Sequence, residues 1–145
     1  MPSNQYVKYL TLDNFSCLPN DTFNFSKNLN IIVAENGCGK SHLLKTLYTL
    51  LEVGANEKNK SIKSETQKLI ASKLLAVFRP DSLGRLVKRQ QGRTRTELAW
   101  GLNKSEENKF SFSSNSSTQV NIESFQYTKP SMPVFIPTRE LITLC

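Results

Sequence analysis

Between Leu29 and Leu51 the chain passes through an apolar stretch, Leu29-Asn-Ile-Ile-Val33, then a small polar loop, Ala34-Glu-Asn-Gly-Cys-Gly39, then Lys40-Ser41 and a run in which Leu43, Leu44, Leu47, Leu50 and Leu51 recur at helical spacing. Strand, glycine loop, Lys-Ser and helix in that order constrain the fold more than any other feature of the sequence. The loop's backbone N–H groups would curl around phosphates, Lys40 would reach the terminal pair, and the Ser41 hydroxyl would ligate Mg²⁺. A helix starting at Lys40 adds the positive end of its dipole. The cofactors this pattern calls for are ATP (or GTP) and Mg²⁺. Ala34, Glu35, Asn36, Gly37, Cys38, Gly39, Lys40, Ser41 and His42 form the candidate binding set, with Lys40 as the candidate catalytic residue.

The pattern G-x-x-x-x-G-K-[ST] has Ala34 at its first position. A glycine there commonly serves a left-handed backbone or a place without room for a Cβ. The loop therefore works only if Ala34 sits at ordinary backbone angles while Gly37 and Gly39 supply the unusual ones.

With 145 residues, 38% of them hydrophobic, the chain can build one domain with a core but is short for a complete ATPase. No apolar run approaches ~20 residues and the start is polar, so neither a membrane span nor a secretion leader is expected, and a cytoplasmic location is. The three cysteines, Cys17, Cys38 and Cys145, have no C-x-x-C spacing, and His42 is the single histidine, which argues against a disulfide framework or a zinc site. The net charge of +7 suits a polyanionic partner.

Two strands precede the loop strand: Tyr6–Phe15, with Val7 and Tyr9 as its apolar set, and Asp21–Ser26, with Phe23 and Phe25. Helix one covers about Lys40–Val53, and helix two about Ser61–Phe78, with Ser64 and Gln67 at capping-box spacing and Pro80 as its stop. Arg85, Lys88, Arg89, Arg93 and Arg95 follow without an intervening acid, in part on a short helix that would bury Leu83, Leu86 and Val87. They read either as a phosphate-backbone surface or as a solvated face. Period-2 segments Thr94–Leu102, Lys109–Ser113 and Thr118–Phe125 predict an antiparallel meander packed through Trp100, Phe110, Phe112, Val120 and Ile122; base stacking is the alternative role for Trp100. Val134–Ile136 predicts a further buried strand, and Pro137–Ile142 a turn into a helix, so the chain stops in mid-element at Cys145.

With those residues placed, the chain resembles the N-terminal lobe of ABC-type ATPase heads of the structural-maintenance-of-chromosomes, RecF-like and overcoming-lysogenization-defect groups. Asn14-Phe15, Leu29-Asn-Ile-Ile-Val33 and Asn36-Gly-Cys-Gly-Lys-Ser41 carry the resemblance. Phe78–Arg89 and Val134–Glu140 are similar to segments of antiphage-defence ATPases of the Septu and retron-linked kinds. The resemblance implies an α/β P-loop NTPase fold: an incomplete N-terminal ABC-ATPase-like lobe with a mixed sheet and an antiparallel β-meander. The whole of 1–145 would be one lobe, with strands, phosphate loop and first helix in 1–53, a helical insertion in 54–93, the meander in 94–127 and the next strand and helix starting in 128–145. It also implies a Q-loop glutamine near Mg²⁺, for which Gln126 is the candidate, with Gln90, Gln91 and Gln119 competing.

No apolar strand ending in Asp-Glu and no L-S-G-G occurs in the sequence. In the groups it resembles, these hold Mg²⁺, position water and cover the γ-phosphate from a second protomer. The expectation is an ATP-binding lobe that hydrolyses poorly alone and acts as a head-to-head homodimer or with a completing ATPase lobe. DNA or a nuclease would be engaged through Arg85, Lys88, Arg89, Arg93 and Arg95. The competing readings are a basic nucleic-acid-binding module with a vestigial loop and a regulatory interaction fragment.

Overall fold

The computed structural model describes residues 5–55, 62–127 and 132–136. Five strands form one sheet: β1 (Val7–Asp13), β2 (Asp21–Asn24), β3 (Arg95–Leu102), β4 (Asn108–Ser113) and β5 (Asn121–Ser124), in spatial order β2-β1-β3-β4-β5. Every pairing is antiparallel. Two helices, α1 (Lys40–Ala55) and α2 (Lys63–Phe78), and a short 3-10 helix, Leu83–Leu86, pack with it.

The meander forms as its period-2 pattern predicts. Leu98 lies opposite both Leu12 and Phe110, and Phe110 lies opposite Ile122, so one apolar row crosses four strands. Trp100 packs edge-on against Phe110 and Phe125, and only 4% of it is exposed. That burial removes the base-stacking role and leaves Trp100 in the core.

In β1 the buried face is the opposite of the expected one. Leu10 and Leu12 are buried, while Val7 and Tyr9 are half-buried. The leucines stand opposite Trp100 and Leu98 and so share the face that carries the helices, and a period-2 register gives the other set the opposite face.

The leucine stripe of α1 is divided between two surroundings. Leu43, Leu50 and Val53 enter the main core beside Ile70, Ala71 and Leu74 of α2. Leu44, Leu47 and Leu51 line a separate cavity of about 320 Å³ with Phe25, Ile32 and Pro133. Thr46 and Thr49 are fully buried, and each hydroxyl donates to the carbonyl four residues back, on His42 and Lys45, which satisfies polar groups that burial would otherwise leave unpaired.

Helix α2 starts after Ile62, whose side chain makes no cap hydrogen bond. The expected capping box is not formed, because Ser64 and Gln67 both lie inside the helix. At the other end Arg79 adopts the left-handed conformation (φ 52°, ψ 45°) and its N–H donates to Leu75 O at 2.9 Å. The following Pro80 disfavours further helix, so the chain leaves through a left-handed cap.

Two expected buried strands are not strands here. Leu29–Val33 has no ladder partner among the described residues, and Leu29, Ile31 and Val33 are 76%, 77% and 88% exposed. Val134 and Ile136 are likewise exposed, at 82% and 67%. In both segments the intervening residues, Ile32 and Phe135, turn inward, Phe135 onto the Tyr48 ring. Each is thus extended with one face toward α1 and the other open, and the parallel component of the expected mixed sheet is absent from the described sheet. Residues 137–145, with the expected terminal helix and Cys145, lie outside the described residues.

Candidate functional site

The loop from Ala34 to Gly39 leads directly into the first turn of α1. Gly37 (φ 85°) and Gly39 (φ 88°) take left-handed backbone, whereas Ala34 is not among the positive-φ residues. The alanine therefore sits where an L-residue carries no left-handed strain, and the two glycines bear the unusual angles. Gly39 is further constrained by space. A Cβ there would lie 2.8 Å from Leu18 Cδ2 and 3.1 Å from Cys17 Sγ.

Lys40 folds back across the loop and its ammonium donates to Ala34 O at 2.6 Å and Glu35 O at 2.7 Å. Two carbonyls thus hold the cation against the backbone of the loop. Glu35, Asn36, Gly37 and Cys38 are exposed around it, Cys38 N donates weakly to Glu35 O at 3.4 Å, and Ser41 is exposed at the start of the helix. Four exposed loop residues, a helix start, the Lys40 ammonium and the exposed Ser41 are thus brought together at one place.

His42 does not face the loop. Its Nδ1 lies 2.5 Å from Ser16 Oγ and 3.7 Å from Cys17 Sγ, and its ring meets Phe78 edge-on at 5.3 Å. Phe78 in turn meets the fully buried Phe15 edge-on at 5.7 Å. Burial, with the Lys45 ammonium second, holds the His42 imidazole below its ordinary pKa. His42 therefore anchors the helix start to the turn after β1, and Ser16 supports the loop from outside the candidate binding set. The adjacent Asn14-Phe15 pair was the available signal.

Gln126 stands at the end of β5. Its side-chain amide donates to Glu106 Oε2 at 2.9 Å and its backbone N–H to Asn108 Oδ1 at 2.6 Å. No described hydrogen bond joins it to the loop or to Ser41, and no described group of three His, Cys, Asp or Glu side chains is placed to hold a metal.

The basic cluster is divided by its partners. Arg95 hydrogen-bonds Ser111 Oγ and pairs with Glu123 at 3.7 Å. Arg85, Lys88, Arg89 and Arg93 are exposed and make no ion pair with a described residue. Arg85, Lys88 and Arg89 line a recess of about 230 Å³ with Gln90, Gly92 and Thr94, and Arg93 and Arg95 line a neighbouring one of about 400 Å³ that shares Thr94.

Comparison with known proteins agrees with this arrangement. The sequence profile described as AAA ATPase domain matches residues 6–132. The chain is similar to the DNA replication and repair protein RecF of Francisella tularensis subsp. novicida (strain U112), 40% identical over 45 residues, covering 31% of this chain and 13% of that protein. It is also similar to structural maintenance of chromosomes protein 6 of Dictyostelium discoideum, 29% identical over 106 residues, covering 64% of this chain and 9% of that protein. In each case the match spans a small part of the relative's length.

Proposed function

This chain belongs to the AAA ATPase domain family, and from that premise we propose that it binds ATP with Mg²⁺ at the Ala34–Ser41 loop as one lobe of an ATPase. The observation that carries the reading is the loop itself: Gly37 and Gly39 in left-handed backbone, Ala34 outside it, and the Lys40 ammonium held against the loop by two of its carbonyls.

The residues divide the work by chemistry. Backbone N–H groups of 36–41 and the α1 N-terminus receive the phosphates. Lys40 exchanges its carbonyl partners for terminal phosphate oxygens, a stronger charge-assisted pairing. Ser41 Oγ holds Mg²⁺, which when bound neutralises phosphate charge. Gln126 joins that ion only on leaving Glu106, so Ser41 is the principal protein ligand.

Binding exceeds hydrolysis in this chain, because phosphoryl transfer needs a group that orients water and the sequence carries no Asp-Glu strand end to do it. Turnover belongs to an assembly, a head-to-head homodimer or a union with a completing lobe. The exposed side chains of Leu29, Ile31, Val33, Val134 and Ile136 support that reading, since clustered exposed apolar side chains mark an interaction surface. The output is directed to DNA or an effector nuclease. The relatives' DNA repair and chromosome maintenance names and four exposed basic side chains with no ion-pair partner among the described residues favour DNA, held through its backbone. Within this scheme 1–145 is a single lobe acting in the cytoplasm, with antiphage defence as a candidate setting.

The test is a Mg²⁺-dependent titration of a fluorescent ATP analogue, with Lys40→Ala in parallel and turnover followed on the same samples. Saturable binding lost in Lys40→Ala, with negligible turnover, is expected. A folded wild-type chain that binds duplex DNA but no nucleotide overturns the reading in favour of a basic module with a vestigial loop.

A further inference from the structure

The loop that precedes α1 carries the single Asn-Gly step in the sequence, Asn36-Gly37. That step has a chemistry of its own. The backbone nitrogen of the residue after an asparagine can attack the asparagine's side-chain carbonyl carbon, and three conditions decide whether it does so in a folded chain. The following residue must put no side chain in the way, its N–H must be free of other partners, and the backbone must be able to turn into a five-membered ring.

All three conditions hold at Asn36. Gly37 has no side chain, and a Cβ built there would meet nothing within 4 Å, so the approach to Asn36 is open. Neither the Gly37 N–H nor the Asn36 amide has a hydrogen-bond partner among the described residues. Both residues are exposed, in a turn that belongs to no helix or ladder. Gly37 sits at φ 85°, and glycine leaves that region for others at little steric cost.

Other exposed asparagines lack these features. In Asn115-Ser116 the nitrogen that would attack is engaged, since Ser116 N–H donates to Ser113 O at 2.9 Å. In Asn20-Asp21 the side-chain amide is held at both ends, Nδ2 donating to Asp13 Oδ1 at 2.7 Å and Oδ1 accepting from Asn14 N at 2.9 Å.

We propose that Asn36-Gly37 is a site of spontaneous deamidation and that bound nucleotide suppresses it, so that the loop ages while it is empty. The suppression rests on the nucleotide-binding reading given above, and the modification itself does not. In the first step Gly37 N bonds to Asn36 Cγ, the Cγ–Nδ2 bond breaks, and ammonia leaves with the Gly37 amide proton. Water then opens the succinimide. Addition at Cγ gives aspartate, and addition at the main-chain carbonyl gives isoaspartate, in which the backbone runs through the former side chain. One water is consumed, one ammonia is released, and no electrons are transferred.

Either product opposes phosphate binding. Aspartate sets a carboxylate beside the N–H groups that would receive phosphate oxygens, and isoaspartate lengthens the main chain by one methylene just ahead of Gly37. Conversely, a phosphate oxygen accepting from Gly37 N–H occupies the attacking nitrogen and fixes the backbone around it.

The experiment incubates the full chain at mildly alkaline pH and physiological temperature, with and without Mg²⁺ and the ATP analogue at about ten times its Kd. Peptide mass spectrometry follows amide-to-acid conversion at each asparagine, and isoaspartyl methyltransferase labelling reports the isoaspartate. In the free chain Asn36 is expected to convert faster than Asn20 or Asn115. Nucleotide is expected to slow Asn36 roughly tenfold, the factor set by the remaining fraction of empty chain, and to leave Asn115 unchanged. Asn36→Gln, whose longer side chain closes a larger ring, is expected to show no conversion at that peptide. Asn36→Asp is expected to weaken the analogue at least roughly tenfold with an unmoved urea midpoint. Aged wild type, separated from fresh chain by ion exchange, supplies the same comparison if the substituted chain does not fold. Conversion at Asn36 no faster than at Asn115 overturns the modification site. Nucleotide that binds yet leaves the Asn36 rate unchanged, or binds the aged chain as tightly as the fresh one, overturns the link to occupancy. A chain that converts at Asn36 but binds no nucleotide upholds the modification site and overturns the functional reading instead.

Discussion

Strand β3 and the segment Leu29–Val33 are both apolar and extended, and they have opposite fates. Arg95–Leu102 is paired on both edges, by β1 and β4, and its residues Leu98–Leu102 are all buried. Leu29–Val33 is paired on neither edge among the described residues and exposes its three odd-numbered side chains. The difference teaches that apolar alternation specifies a strand only where a partner edge is available to satisfy its N–H and C=O groups. It also separates two kinds of residue. Those in the meander hold the fold, and those of Leu29–Val33 leave an apolar face open.

Substitutions sharpen that separation, and the largest effect is expected in the meander. Phe110 is fully buried at the crossing of the apolar row, in contact with Trp100 and Phe112. Phe110→Ala should lower unfolding free energy by about 3–5 kcal/mol in a urea titration, as for other large core aromatics. A loss below about 1 kcal/mol would show that the meander is not the stabilising unit.

Next is Lys40→Ala, which should weaken the ATP analogue by roughly 10–100-fold, the scale of one lost charge-assisted contact of about 1.5–3 kcal/mol, while leaving the urea midpoint almost unmoved. If the midpoint fell as far as in Phe110→Ala, the loop would be structural and the comparison would break. Gly39→Ala combines a left-handed φ with a 2.8 Å approach to Leu18, so it should cost about 1–2 kcal/mol of stability and weaken nucleotide as well. It is the one substitution expected to register in both measurements, because Gly39 lies where the loop meets the core.

Smaller still is Ile31→Ser. The side chain is 77% exposed, so the urea midpoint should shift by no more than about 0.5 kcal/mol. Concentration-dependent association followed by light scattering should decline. A large loss of stability would mean that this face is covered within the folded chain.

The smallest effect is a pH dependence. The folded His42 pKa lies below the unfolded value, so the unfolded chain binds the proton more readily. The contribution is full above the unfolded value of about 6.5 and is lost as pH falls through the lower folded value. Wild-type Tm should therefore fall on acidification from about pH 7 to 5 more than that of His42→Asn. Equal slopes would remove His42 as the titrating group.

Much of this was legible from residue order. The meander, both helices, the Leu83–Leu86 turn and the glycine loop before α1 follow from periodicity and glycine placement. The buried face of β1 was not legible, because Tyr9 and Leu10 are both credible core residues until β3 supplies Trp100 and Leu98 opposite the leucines. The α2 cap was misread since Ser64 and Gln67 have the right spacing but start inside the helix. The support of the loop by Ser16 was marked only by the neighbouring Asn14-Phe15 pair, because Ser16 and His42 lie 26 positions apart in sequence.

The sequence by itself determined the local geometry of the loop, because glycine φ preferences, a lysine's reach and a helix start act within a few residues of one another. Tertiary structure decided that Ala34 needs no left-handed angle, that Leu29–Val33 finds no strand partner among the described residues, and that His42 is tied through Ser16 to the turn after β1. Those outcomes depend on which distant groups arrive beside a residue, and no local spacing encodes that arrival.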